Sequence, residues 1–167
     1  PIIMSLPKHH LELLSPARDA AIAKEAILHG ADAVYIGGPS FGARHNASNS
    51  VADIANLVEF ARLFHAKVFV TINTILHDDE VEPARQLIHQ LYDAGVDALI
   101  VQDIGLVDLA RAVAPALPVH GSTQLSVTDT AGVELAAQIG CRRVVLGREL
   151  AIEDIGVIAQ HSPIEIE

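Results

Sequence analysis

Several polar positions interrupt an otherwise apolar chain, and each is a place where chemistry could be done. The most unusual stretch is residues 37–46 (GGPSFGARHN). Gly37 and Gly38 permit close approach of a ligand to the backbone, and Arg44 can fork onto a carboxylate or a phosphate. A glycine-rich turn with a solvated arginine is the structural alternative. Asn73 and Gln124 can orient a nucleobase, an amide or a carboxylate through paired hydrogen bonds, although side chains of this type more often satisfy loop backbone. Arg148 ends an apolar run, where it can clamp an anion or pair with Glu149 or Glu153. Asp103 and Glu149 are the candidate general acid–base groups, because burial and a nearby arginine can tune a carboxyl at a pocket mouth. Capping and ion pairing are their structural alternatives.

Other constellations point to less. His77-Asp78-Asp79-Glu80 has the residue types of a metal site, but consecutive residues seldom converge on one ion, and Asp78 or Asp79 is placed to cap a helix. No metal site is therefore expected. His45 and His120 fall near strand ends and could transfer protons. Cys141 precedes a strand, at the end of such a fold away from the chemistry. Glu12, inside an apolar run, needs a basic partner if it faces a barrel interior.

The elements that must position these residues recur along the chain. Six apolar runs read as strands: residues 11–14 (LELL), 33–36 (AVYI), 67–72 (KVFVTI), 98–101 (ALIV), 118–120 (PVH) and 143–146 (RVVL). A seventh, 164–167 (IEIE), ends the sequence. Most are continuous rather than alternating, as in parallel strands covered on both faces. Helical patterns fill the intervals at 18–29, 51–65 (with Ser50 as cap), 83–94, 107–113, 129–139 and 152–160. Three strands follow a helix through nearly one phrase: Gly30-Ala-Asp-Ala-Val, Gly95-Val-Asp-Ala-Leu and Gly140-Cys-Arg-Arg-Val. Strict alternation predicts an α/β fold with a parallel sheet. No Gly-x-Gly-x-x-Gly follows the first run, and polar residues follow nearly every strand, which favours a TIM-type (βα) barrel over an open dinucleotide-binding sheet. Seven of eight strands are present, so the reading is a truncated barrel over 11–167. Residues 1–10 are set aside as a leader or cloning remnant.

Composition sets the outer bounds. The chain has 167 residues, half of them apolar and 19% charged, which is globular composition. Its formal net charge of −10 argues against nucleic-acid binding over the whole surface but leaves room for a local basic pocket. One cysteine makes no internal disulfide. No membrane-spanning run and no secretory signal is visible, so a cytoplasmic protein without a membrane partner is expected.

With these residues in view, a resemblance can be stated. Glu12-Leu-Leu-Ser-Pro-Ala17, Gly30-Ala-Asp-Ala-Val-Tyr-Ile-Gly-Gly38, Phe41-Gly-Ala-Arg44, Asn73 and Ser122-Thr-Gln124 resemble the N-terminal signature of the collagenase-like peptidase family of unassigned catalytic type. The phrases LELLSPARDAAIAKEAILHGADAVYIGGPSFGARHNASNS and VTINTILHDDE are most similar to a branch linked to hydroxylation of a cytidine in large-subunit ribosomal RNA. A sister branch is linked to uridine hydroxylation in transfer RNA. The resemblance implies an RNA-modifying enzyme with ribosomal RNA as partner, and carries substrate binding onto Arg44, Asn46, Asn73, Gln124 and Arg148. It also implies an iron–sulfur cluster, held by cysteines that follow strand seven in the family and are absent here. The expectation is a barrel portion that cannot turn over alone. A peptidase and a non-catalytic RNA-binding or assembly module are the alternatives. Open edges at the first and last strands predict a homo-oligomer.

Overall fold

The computed structural model describes residues 11–42 and 49–167. Residues 1–10, and Arg44, His45 and Asn46, lie outside the described residues. Seven parallel strands form one sheet in sequence order, namely β1 (Leu14–Ala17), β2 (Ala33–Gly37), β3 (Lys67–Ile72), β4 (Ala98–Val101), β5 (Val119–Gly121), β6 (Arg143–Val144) and β7 (Glu165–Ile166). Between them run α1 (Ala20–Leu28), α2 (Val51–Arg62), α3 (Val81–Asp93), α4 (Ile104–Val113), α5 (Thr130–Ile139) and α6 (Ile152–His161). The sheet is rolled. In a flat sheet five strand spacings would separate β1 from β6 by about 24 Å. Instead Glu12, two residues before β1, meets Arg143 of β6 at 2.6 Å.

Rolling divides the strand residues between two environments. Val34, Ile36, Val68, Val70, Ile72, Leu99, Val101 and Val144 pack with Ile27, Ile54, Leu57, Ile88 and Leu106 of the helices in the main core. The alternate residues face the barrel interior, where Ala33, Phe69, Ala98 and Ile100 form a second, smaller cluster with Leu14 and Tyr35 against it. Period-two alternation is therefore present beneath the continuous apolar letters, because both faces are covered.

The caps follow the sequence. Ser50 and Asp53 form a capping box at α2, with Asp53 N–H donating to Ser50 Oγ at 3.1 Å and Ser50 N–H to Asp53 Oδ2 at 3.1 Å. Gly30, Gly95 and Gly140 all have positive φ (99°, 78° and 110°), the left-handed turn that explains the repeated glycine phrase. Two expectations need correction. Residues 78–80 form a 3₁₀ turn in which neither aspartate caps, and it is Glu80 that accepts the N–H of His77 at 2.9 Å. The first strand is Leu14–Ala17, three residues later than the 11–14 run. Pro16 looks like a strand terminator, yet among the described residues β1 has only β2 beside it, and an edge strand tolerates a residue with no N–H.

Candidate functional site at the carboxyl end of the barrel

In a parallel sheet every strand delivers its carboxyl end to the same side, and a cavity of about 310 Å³ opens there. Ala17 and Arg18 reach it from β1, Tyr35 and Gly37 from β2, and Thr71 and Asn73 from β3. Ile100 comes from β4, Ser122, Thr123 and Gln124 follow β5, Val145 and Arg148 follow β6, and Glu167 follows β7. The loops above are cross-tied. Phe41, at a positive φ of 59°, accepts both the N–H and the hydroxyl of Thr74 through its carbonyl at 3.2 and 3.1 Å. Ser126, φ 58°, ends the 3₁₀ turn at Thr123–Leu125. Both residues hold a strained backbone on the face that carries the cavity, where such strain tends to gather.

The sequence candidates divide. Gly37, Asn73, Gln124 and Arg148 line the cavity together. Asn73 Nδ2 donates to Gln124 Oε1 at 2.8 Å, so amides from β3 and β5 form one polar wall. Arg148 is exposed and makes no ion pair with a described residue, Glu149 and Glu153 included. Gly38 lies just off the lining, buried, with its N–H donated to the Thr71 carbonyl at 3.4 Å. Asp103 has structural work instead of access to the cavity. Its Oδ1 accepts the Leu106 N–H at the start of α4, and its Oδ2 accepts the Leu76 N–H, both at 3.1 Å. Glu149 is exposed and also outside the lining.

Reading the sequence misses Arg18, Tyr35, Thr71 and Glu167. Arg18 is lost through the placement of the first strand, since ending it at Leu14 puts Ser15 at the working end. Tyr35 and Thr71 were legible as inward positions by alternation from Gly37 and Asn73. Asn49 is a further omission. Only 6% exposed, it donates through Nδ2 to the carbonyls of Arg18 and Gly37, both at 3.1 Å, and so ties the ends of β1 and β2 together.

At the opposite end of the interior the charges are closed onto one another. Glu12 accepts from Lys67 Nζ at 2.6 Å and from Arg143 Nη1 at 2.6 Å, and Arg143 Nη2 also donates to Glu165 at 2.6 Å. This supplies the basic partner that an inward Glu12 requires. Burial opposes charge on Glu12, but hydrogen bonds from Arg143 and Lys67 outweigh it and hold the carboxyl below its ordinary value. Arg143 also lies over the Phe69 ring at 5.5 Å, and Phe69 meets His120 edge-on at 4.9 Å. His120 sits within β5, 5% exposed, with no hydrogen bond at Nδ1. Burial, and then the charge of Arg143, push it down to about 4, which favours a neutral interior side chain over the proton transfer its place near a strand end left open.

Among the described residues no three His, Cys, Asp or Glu side chains gather as a metal site. Cys141 is buried, and burial alone pushes its thiol up to about 11, so it is neither a ready thiolate nor accompanied by others. These residues do not fit an iron–sulfur cluster. No helix among them is long and apolar enough to cross a membrane.

The fold, the cavity and its polar wall can now be set against known proteins. The solved structure of a U32 peptidase superposes with a TM-score of 0.79 at 14% identity, covering 97% of this chain and 69% of that one, which shows a common barrel. The 23S rRNA 5-hydroxycytidine C2501 synthase of Escherichia coli (strain K12) is 57% identical over 164 residues, 98% of this chain. The tRNA hydroxylation protein P1 of Bacillus subtilis (strain 168) is 40% identical over 157 residues, 93% of this chain. The chain spans 25% of the first relative's length and 37% of the second's. The model of peptidase family U32 matches residues 18–167, which is every described strand but β1, together with the whole polar wall, and the chain therefore belongs to that family.

Proposed function

We propose that this chain is the barrel portion of an enzyme that hydroxylates a cytidine in ribosomal RNA, with the carboxyl-end cavity receiving one extruded nucleotide. The observation that carries this reading is the 57% identity to a 5-hydroxycytidine synthase across 98% of the chain. Chemistry on a base requires the base to leave its stack or to be single-stranded. A cavity of about 310 Å³ lies at the small end of ligand pockets and suits a single nucleotide better than a folded peptide. Arg148 and Arg18 stand at the ends of β6 and β1, where they would meet phosphate, and the Asn73–Gln124 pair would meet polar base edges. A net charge of −10 fits a local contact of this kind better than a broad basic face. The family's peptidase label finds less support in the cavity. Ser122, which lines it, accepts the N–H of Gln124 at 3.3 Å, and no histidine lies beside its hydroxyl among the hydrogen bonds of the described residues.

Mass analysis of ribosomal RNA from cells lacking the gene tests this reading. The hydroxycytidine should disappear and return with the wild-type gene, but not with Arg148→Ala. An unchanged level in the deletion rejects the reading. The same proposal places the protein in the cytoplasm and includes assembly. The outer edges of β1 and β7 have no neighbouring strand among the described residues, and Leu11 and Leu13 beside β1 are 89% and 60% exposed. A second copy would pair along these edges. Light scattering showing a monomer at high concentration would remove that part.

A further inference from the structure

Two aromatic side chains stand in register across the barrel interior, Tyr35 on β2 and Phe69 on β3. Both face inward because the residues that flank them, Val34 and Ile36, and Val68 and Val70, pack in the main core. Their rings are used differently. Phe69 is 2% exposed, with the Arg143 guanidinium over its ring at 5.5 Å and the His120 ring edge-on at 4.9 Å. Tyr35 is half-buried. Among the described residues no aromatic ring and no cation stacks on it, and its hydroxyl makes no hydrogen bond. It is also the one aromatic residue among the described residues that line the cavity.

Its neighbours leave the ring room. Tyr35 packs against the small interior cluster of Ala33, Phe69, Ala98 and Ile100, and Ile100 lines the cavity with it. The next inward position of β2 toward the carboxyl end is Gly37, which sends no side chain over the ring, and the residue in register with it is only Thr71. Ala17, Gly42 and Ser122 are the other small residues of the lining. One flat apolar side chain therefore stands in a cavity with small walls, polar amides to one side and two arginines where strands end.

Apolar surface left uncovered gains by burial, and a planar heteroaromatic ring covers an aromatic side chain well. Amides meet the edges of a base and arginines meet phosphate, but neither the Asn73–Gln124 pair nor Arg148 supplies an apolar contact for its face. We propose that Tyr35 is the stacking platform of this cavity, with the base of the bound nucleotide lying on its ring. The proposal rests on the reading of the cavity as a nucleotide site. Every nucleobase has such a face, so this contact supplies affinity and orientation while leaving the choice of base to the polar wall.

The test is calorimetric binding of cytidine 5′-monophosphate and of ribose 5-phosphate, which has no base, to the purified full-length protein and two variants. Tyr35→Phe keeps the ring and should bind the nucleotide within about threefold of wild type. Tyr35→Leu keeps an apolar side chain without the ring and should bind it about tenfold or more weakly, the usual cost of a lost base–aromatic stack. Ribose 5-phosphate should bind all three proteins alike. Proton NMR gives a readout that needs no variant. The ring current of Tyr35 should move the H5 and H6 resonances of bound cytidine 5′-monophosphate upfield. Absence of that shift in the wild-type complex overturns the proposal even if Tyr35→Leu fails to fold. Wild-type affinity in Tyr35→Leu overturns it and leaves the nucleotide site standing. So does a Tyr35→Phe variant as weak as Tyr35→Leu, since the hydroxyl and not the ring would then be the contact. Equal losses for the nucleotide and for ribose 5-phosphate in Tyr35→Leu would show a merely structural residue and also overturn it. Failure of the wild type itself to bind the nucleotide overturns the nucleotide site, and this inference with it.

Discussion

At the amino end of the barrel interior, Glu12, Lys67, Arg143 and Glu165 close onto one another at 2.6 Å. At the carboxyl end, Arg148 has no ion-pair partner among the described residues, Arg18 has only its chain neighbour Asp19, at 2.9 Å, and Glu167 has a contact at 3.9 Å. The residue types are the same, and their uses are opposite. Where each charge has its partner in the fold, it is part of what holds the rolled sheet together, because Glu12 and Arg143 join the first and sixth strands. Where partners are missing or distant beside a cavity, the groups are kept for something that binds. A barrel separates these roles by the ends of its strands, with stability at one face and chemistry at the other.

The largest effect should come from breaking the closed end. Arg143 is 11% exposed at its side chain and serves both Glu12 and Glu165. Arg143→Met would leave two carboxylates without their main cation, and breaking a buried pair by removing one partner costs roughly 3–5 kcal/mol. Urea denaturation at pH 7 should show a loss of that order. A loss under about 1 kcal/mol, typical of surface pairs, would mean the amino end is no more a structural device than the exposed Arg85–Glu82 pair.

Next in size is the pH response of the buried interior histidine. His120, in register with Arg143 and edge-on to Phe69, is held down to about 4, against an ordinary value of 6.5. Between those values the unfolded chain binds a proton that the folded chain refuses. Stability contributed by neutral His120 is therefore fully present above pH 6.5 and is lost as pH falls toward 4, reaching about 3 kcal/mol at the low end. His120→Leu should flatten the dependence of unfolding free energy on pH over that window. An unchanged slope would place the acid sensitivity elsewhere.

A smaller loss is expected at Asp103, which sits near the cavity yet behaves like the closed end. Asp103→Ala removes the acceptor for two backbone N–H groups, those of Leu76 and Leu106, and should cost about 1–2 kcal/mol, as other helix caps do. If that variant instead kept full stability and lost activity, its catalytic reading would be restored.

Asp103, for which the sequence left capping and acid–base chemistry both open, shows how far the letters reach. The order of strands and helices was legible because each apolar run is bounded by glycine turns and caps whose chemistry is local, as at Ser50 and Gly95. Arg148, Asn73 and Gln124 could be placed because they follow long or clearly bounded strands, and position after a strand fixes which end they reach. Asp103 also follows a strand, but whether a carboxylate there caps a helix or faces a cavity depends on its rotamer and on Leu76, a neighbour 27 residues away. Arg18 was hidden by Pro16, since only the pairing partner of β1 shows that this proline lies on an edge. Glu12 and Glu167 depend on closure of the sheet, a contact between residues as far apart as 131 positions that no local pattern encodes.

The smallest effect on stability, and the sharpest contrast with Arg143, is expected at Arg148. Its side chain is exposed, it follows β6 by four residues, and it makes no ion pair with a described residue. Removing it leaves no buried carboxylate behind, so Arg148→Ala should shift the unfolding free energy by no more than about 0.5 kcal/mol, as surface substitutions do. Nucleotide binding should respond very differently. If Arg148 meets a phosphate, truncation removes a charge-assisted hydrogen bond worth roughly 1.5–3 kcal/mol, or about tenfold or more in affinity. Arg148→Lys should recover part of that loss by keeping the charge without the fork. Denaturation and calorimetry on the same three proteins decide the matter. Unchanged binding in Arg148→Ala would show that an unpaired arginine at the carboxyl end is merely solvated, and a stability loss near that of Arg143→Met would show that both ends of the barrel use their charges alike.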